Sequence, residues 1–101
     1  MSKLETSIKE IARFYFIALK NIQDESISSN EIDVFSPFYK YYADVEEAFS
    51  RLDKEKKRLI TNEYFYDAYS NWWKKEYRKT RFLLLRKAAI KEFVEAFYEI
   101  H

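Results

Sequence analysis

The feature that most constrains this 101-residue chain is an absence, since it contains no glycine and a single proline. Glycine supplies the positive φ angles of tight turns, and both residues interrupt regular helices. Apolar residues meanwhile recur at steps of three and four, which is the spacing of one helix face. With 48% hydrophobic and 20% aromatic residues, the chain can form a packed core. The sequence predicts an all-α protein, and its length predicts one domain over residues 1–101.

Periodicity and capping residues predict five helices, of which two lie in the first half. The first covers about residues 3–23, and the polar stretch "DESISSN", residues 24–30, is expected to form a loop. The second begins at "SPF", where Ser36 can cap the helix. Pro37 suits the first helical position, because its missing N–H has no partner there.

Three more helices are predicted in the second half. Asp53 can cap the third. A short fourth helix is expected to carry the tryptophan pair at 72–73, with Ser70 as its cap. The fifth extends from about residues 78–80 to residue 100. We expect the tryptophan rings to pack in the core, with a base-stacking surface as the less favoured alternative.

Several classes of enzyme are excluded by composition. The chain has no cysteine and one histidine, His101, so it cannot form thiolate sites, a histidine triad or a multi-histidine metal site. Without glycine it cannot form a glycine-rich phosphate loop. We therefore expect no catalytic residues, no metal and no cofactor. His101 is expected to fray.

No segment is predicted to enter a membrane. The sequence has no run of about 20 apolar residues, the length that a spanning helix needs. The first residues, "MSKLETSIKE", include acids and lack the apolar core of a signal peptide. A cytoplasmic location is expected.

Charge is divided unevenly along the chain. Residues 1–50 hold 5 basic and 9 acidic side chains, whereas residues 51–101 hold 13 basic and 8 acidic ones. Residues 74–91 alone hold 8 basic groups against one acid, Glu76. Such asymmetry indicates a surface for a polyanion. The alternative is a solvated face with i,i+4 ion pairs, but nearby acids are too few to pair every cation.

The second half also resembles region 4 of bacterial sigma-70 factors and the related helix-turn-helix regulators. The matching positions are Leu52, Arg58, Ile60, Tyr64, Phe65, Arg86, Lys87, Ala89, Ile90, Lys91 and Phe93. The segment "WWKKEYRKTRF" is similar to phage-type late-gene activators and short uncharacterised mollicute proteins. The resemblance implies a helix-turn-helix in residues 52–97, although the turn "EYRK" lacks the glycine or small polar residue that is usual there.

The geometry of a helix in the major groove indicates which residues would contact DNA. A helix fits the major groove with its first residues near base edges, and its N–H groups point at phosphates. Residues on the preceding segment hold the DNA backbone, and basic residues one and two turns beyond Leu84 on the same face extend the contact. The predicted DNA-binding residues are Lys74, Lys75, Arg78, Lys79, Thr80, Arg81, Leu84, Lys87 and Lys91.

The sequence therefore predicts a transcription regulator that binds double-stranded DNA through residues 52–97. Residues 1–50 would form an oligomerisation or docking half. One alternative is a protein-binding module that docks on RNA polymerase, which Leu83 and Leu84 favour because the family often has polar groups there. A second open question is whether residues 3–23 mediate a homodimer or only cover the monomer core.

Overall fold

A computed structural model describes residues 3–29, 36–65 and 71–101, and its regular structure in these ranges is entirely helical. It contains four α-helices: α1, Lys3–Ser29; α2, Pro37–Ser50; α3, Lys54–Ile60; and α4, Lys79–Ile100. A π-helical turn, Thr61–Phe65, extends α3. The described residues form no strand, which confirms the all-α prediction. No helix in these ranges is both long and apolar enough to cross a membrane.

Two predicted helix starts are confirmed by their capping hydrogen bonds. The Ser36 hydroxyl accepts from the N–H of Phe38 at 3.1 Å, and Pro37 occupies the first helical position of α2. The Asp53 carboxylate accepts from the N–H of Lys56 at 2.9 Å at the start of α3. Local sequence rules succeed here because the donor and acceptor are two or three residues apart.

The predicted loop after α1 is wrong for residues 24–29, which continue the helix to Ser29. Asn30 lies outside the described residues. The stretch is polar but contains neither glycine nor proline. Each polar residue reduces the stability of a helix only slightly. Polarity alone therefore did not mark the end of the helix.

The prediction of a fifth, short helix around the tryptophan pair is also wrong. Residues 71–76 form successive turns, in which the N–H of Lys74 donates to the Asn71 carbonyl and that of Glu76 to the Trp73 carbonyl. The proposed cap, Ser70, lies outside the described residues. In a helix, adjacent side chains point in different directions. Turns instead allow both tryptophan rings to reach the same partner, Phe82.

One apolar core joins both halves of the sequence. Phe93 of α4 is fully buried and its ring lies 4.8 Å from that of Phe49 in α2 and 5.8 Å from that of Phe65. Burial of each such large apolar side chain stabilises the fold by about 1.5–3 kcal/mol. The largest fully buried members are Ile8, Ile11, Val45, Leu59, Ile60, Phe93 and Phe97.

His101 is held against this core, contrary to the expectation that it frays. Its ring stacks on Phe97 with centroids 4.9 Å apart, and its Nδ1 lies 2.8 Å from Asp44 Oδ2. Burial opposes ionisation of Asp44, but hydrogen bonds from Lys40 and His101 outweigh it and lower the pKa of this carboxyl.

Candidate nucleic-acid interface

The first turn of α4 carries cations where helices usually carry acids. Arg78 precedes the helix with extended backbone, φ −75° and ψ 149°, and its side chain forms no capping hydrogen bond. The first helical bond is from the N–H of Phe82 to the Arg78 carbonyl, 2.9 Å. The N–H groups of Lys79, Thr80 and Arg81 therefore have no partner within the helix. Cations at this positive end of the helix dipole are unfavourable, so a bound anion would stabilise the arrangement.

All nine residues predicted to contact DNA are exposed. They are Lys74, Lys75, Arg78, Lys79, Thr80, Arg81, Leu84, Lys87 and Lys91. Across residues 3–29, 36–65 and 71–101, none of their basic side chains forms an ion pair with a carboxylate. Exposed, unpaired cations are available to an external anion.

Helical phase brings four of these residues to one side of α4. Thr80, Leu84, Lys87 and Lys91 follow steps of four, three and four, so they lie along a single outward face. Phe82, Ala89 and Phe93 are buried on the opposite side. We call the exposed row formed by Thr80, Arg81, Leu84, Lys87, Ala88 and Lys91 the outward face of α4. Lys74 and Lys75 lie on the preceding turns, and no described contact joins them to it.

Three acids near this face are engaged elsewhere. Glu76 accepts two hydrogen bonds from Arg58, at 2.5 and 2.7 Å, and these bonds lower the pKa of its carboxyl. On α4 itself, Glu92 pairs with Lys56, and Glu99 lies 3.4 Å from Arg51. These acids therefore do not neutralise the cations of the outward face.

The tryptophan segment, residues 71–77, braces the start of α4. The Trp73 ring stacks on Phe82 with centroids 4.4 Å apart and planes 6° from parallel, and Trp72 meets Phe82 edge-on at 5.8 Å. Both tryptophans pack against the core cluster. The predicted packing of the tryptophan pair on the core is thereby confirmed, and both rings remain partly exposed.

Polar contacts fix the same segment to α3 and the π-helical turn. Trp72 Nε1 donates to Glu63 at 2.8 Å, and the Tyr77 hydroxyl donates to Glu55 at 2.9 Å. Burial, reinforced by the bond to Glu55, raises the pKa of Tyr77. These contacts join the segment before α4 to the rest of the fold.

Arg86 joins elements of the fold and is not part of the outward face. Its Nη2 lies 2.6 Å from both Glu5 of α1 and the Tyr64 hydroxyl, and its Nε lies 3.4 Å from Glu63. The hydrogen bond from Arg86 lowers the pKa of Glu5 more than burial raises it. Burial raises the pKa of Tyr64 to about 12. We call these four residues, Glu5, Glu63, Tyr64 and Arg86, the Arg86 cluster. No local sequence pattern indicates it, because Glu5 is 81 positions from Arg86.

A shallow depression of about 610 Å³ lies at the leading end of α4. It is lined by Arg78, Thr80, Arg81, Leu84 and Leu85. The side chain of Leu84 is 67% exposed, whereas that of Leu83 is 48% exposed and lines a separate hollow with Leu4 of α1. The lining of the depression therefore combines apolar and cationic side chains.

Apolar surface is also exposed on α1. Phe14, Phe16 and Ile17 are 42%, 47% and 44% exposed, and Phe14 and Ile17 line an apolar groove of about 330 Å³ with Phe38 of α2. The α1 side of this groove lies within residues 3–23, the range expected to mediate a homodimer. No group of histidine and acidic residues suited to a metal ion occurs in the described part of the chain.

No protein family, no curated protein and no solved structure matches this chain. The comparison with sigma region 4 therefore rests on the residues quoted above.

Proposed function

We propose that this protein binds double-stranded DNA through the outward face of α4 and regulates transcription. The supporting observation is the set of exposed basic side chains, from Lys74 to Lys91, that form no ion pair within the described ranges. Phosphate contacts supply most of the affinity in such interfaces, and release of counterions drives them.

In the proposed mode of binding, α4 enters the major groove by its first turns. A helix fits this groove, and its leading residues meet base edges. Lys79, Thr80 and Arg81 provide both side chains and partnerless N–H groups to the nearest phosphates. Lys87 and Lys91, one and two turns beyond Leu84, are spaced to follow the backbone.

We further propose that α3 and α4 form a sigma-region-4-like helix-turn-helix. The tryptophan segment would replace the short positioning helix, since it occupies the same place in the chain and braces α4 through Phe82. Position 78 of the turn does not need glycine, because Arg78 has ordinary extended backbone angles. This assignment needs no cofactor and no catalytic group.

The first test is the salt dependence of binding to fluorescent duplex DNA, followed by anisotropy. Four to five phosphate contacts give a log–log slope of about −4 between affinity and salt concentration. Absence of binding at low salt, or affinity that ignores salt, contradicts the proposal.

A matched pair of variants locates the interface. The double substitution Lys79→Ala/Arg81→Ala should reduce the salt slope by about 2 and weaken binding to all sequences. Arg13→Ala/Lys20→Ala removes the same two residue types from exposed positions on α1 and should leave the slope nearly unchanged. If the two variants bind equally, the first turn of α4 does not contact DNA, contrary to the proposed mode of binding.

The second candidate function is docking on a protein, with RNA polymerase as the expected partner. Exposure of the adjacent residues Leu83 and Leu84 favours it, because contiguous exposed apolar surface often marks a protein-binding site. Capture of RNA polymerase by immobilised protein, lost in Leu83→Ala/Leu84→Ala and kept in Lys79→Ala/Arg81→Ala, would favour this function over DNA binding.

Self-association through residues 3–23 is a separate proposal. The exposed rings of Phe14 and Phe16 and the side chain of Ile17 support it, since dimeric helix-turn-helix proteins span two half-sites. Sedimentation equilibrium of the wild type and of Phe14→Ser/Ile17→Ser tests it. A monomer at all concentrations excludes a homodimer.

A further inference from the structure

We propose that Leu84 reads thymine methyl groups, so that the outward face of α4 prefers duplex steps that contain thymine. This inference rests on the proposed DNA binding and specifies what the site recognises. It starts from the position of Leu84, whose 67% exposure is the largest among the exposed large hydrophobic residues of the described chain.

Packing against the core does not account for the position of Leu84. The apolar side chains that pack against the core include Leu85 and exclude Leu84. Leu83 differs, because it lines a hollow beside Leu4 of α1 and has apolar neighbours within the fold. Leu84 therefore exposes an apolar surface that folding leaves without a partner.

The neighbours of Leu84 on α4 complete an apolar row. Thr80, Leu84 and Ala88 are four residues apart, so they lie in one line along the exposed side of the helix. Arg81 lies on one side of the row, and Lys87 and Lys91 lie on the other. The row therefore consists of the threonine methyl, the leucine side chain and the alanine methyl, between cations.

Charge complementarity indicates which ligand would contact this row. Cations on both sides fit two phosphate backbones, and the surface between them would face the base edges of the major groove. The thymine C5-methyl is the apolar group presented on those edges, whereas the other positions are hydrogen-bond donors and acceptors. An apolar row between phosphate-binding side chains is therefore complementary to thymine methyls.

The test compares two short alternating duplexes of equal length, d(A–T) and d(A–U), which differ by the thymine methyl. Wild-type protein should bind d(A–T) about fourfold more tightly for each methyl that it covers, the expected gain from burying one methyl-sized apolar group. Leu84→Ala should bind the two duplexes equally and keep the wild-type salt slope. Leu83→Ala is the matched control and should retain the preference for d(A–T).

The outcomes separate this inference from the function on which it rests. Salt-dependent binding with equal affinity for the two duplexes overturns thymine reading and leaves DNA binding intact. A preference that persists in Leu84→Ala, or that is lost equally in Leu83→Ala, also overturns it. Failure to bind either duplex at low salt defeats both proposals. Loss of RNA polymerase capture in Leu84→Ala, without any change in duplex binding, would assign this leucine to a protein partner instead.

Discussion

Arg81 and Arg86 lie five residues apart on the same helix and have opposite surroundings. Arg86 contacts Glu5, Glu63 and Tyr64, which come from α1 and from the π-helical turn. Arg81 is exposed and forms no ion pair within the described ranges. The side of the helix on which an arginine lies determines which carboxylates it can reach. A basic sequence segment therefore divides into one residue that holds the fold together and several that remain available to a ligand.

The largest effect should come from replacing Arg86. We expect Arg86→Ala to reduce the free energy of unfolding by about 3 kcal/mol, because it removes the half-buried arginine that pairs with both Glu5 and Glu63. Arg86→Lys should have a smaller effect, since lysine keeps the charge but not the forked donor geometry. Urea unfolding measures both. In the same experiment Lys79→Ala/Arg81→Ala should change the free energy of unfolding by less than about 0.5 kcal/mol. If it destabilises the protein as much as Arg86→Ala does, the exposed cations also stabilise the fold and the comparison fails.

The next effect concerns the tryptophan segment that braces the start of α4. Trp73→Ala should destabilise the protein by about 2 kcal/mol, roughly half the cost for a fully buried ring, because Trp73 is half-buried on Phe82. Trp73→Phe should recover most of the loss. Thermal unfolding checks both variants. An unchanged midpoint for Trp73→Ala would mean that the stack does not stabilise the fold.

Lowering the pH should weaken the ion pairs of the Arg86 cluster before it changes the charge of the outward face. The pKa of Glu5 lies below its ordinary value of 4.5 in the folded protein. The stability that Glu5 contributes is therefore present above about pH 4.5 and is lost as pH falls through its folded pKa. Urea midpoints of wild type and Arg86→Ala, measured from neutral pH downward, should converge below this range. Parallel curves would show that Arg86 does not lower this pKa.

The smallest effect has the opposite sign. Arg78→Asp places a capping carboxylate before α4 and should stabilise the protein by about 1 kcal/mol, while it weakens DNA binding. Arg78→Ala, which removes the charge without adding a cap, should leave stability nearly unchanged. Unfolding and anisotropy measurements on both variants would test whether the cations before α4 serve a ligand at the expense of the helix. Simultaneous gain in stability and in DNA affinity would contradict that interpretation.

The sequence by itself determined the helical class, the capped starts of α2 and α3, and the residues of α4 that face outward. These features depend on neighbours a few positions away, through hydrogen bonds and helical periodicity. Thr80, Leu84, Lys87 and Lys91 were predictable as one face because their spacing alone places them there.

Only the tertiary structure decided which basic residues of α4 form ion pairs within the described ranges. Arg86 and Arg81 are the same residue type in similar basic stretches, but Arg86 meets a glutamate 81 positions away. The turns at residues 71–76 likewise depend on Phe82, on which both tryptophan rings pack. Pairing of charges and packing of rings depend on which distant segments the fold brings together, and helical periodicity carries no information about that.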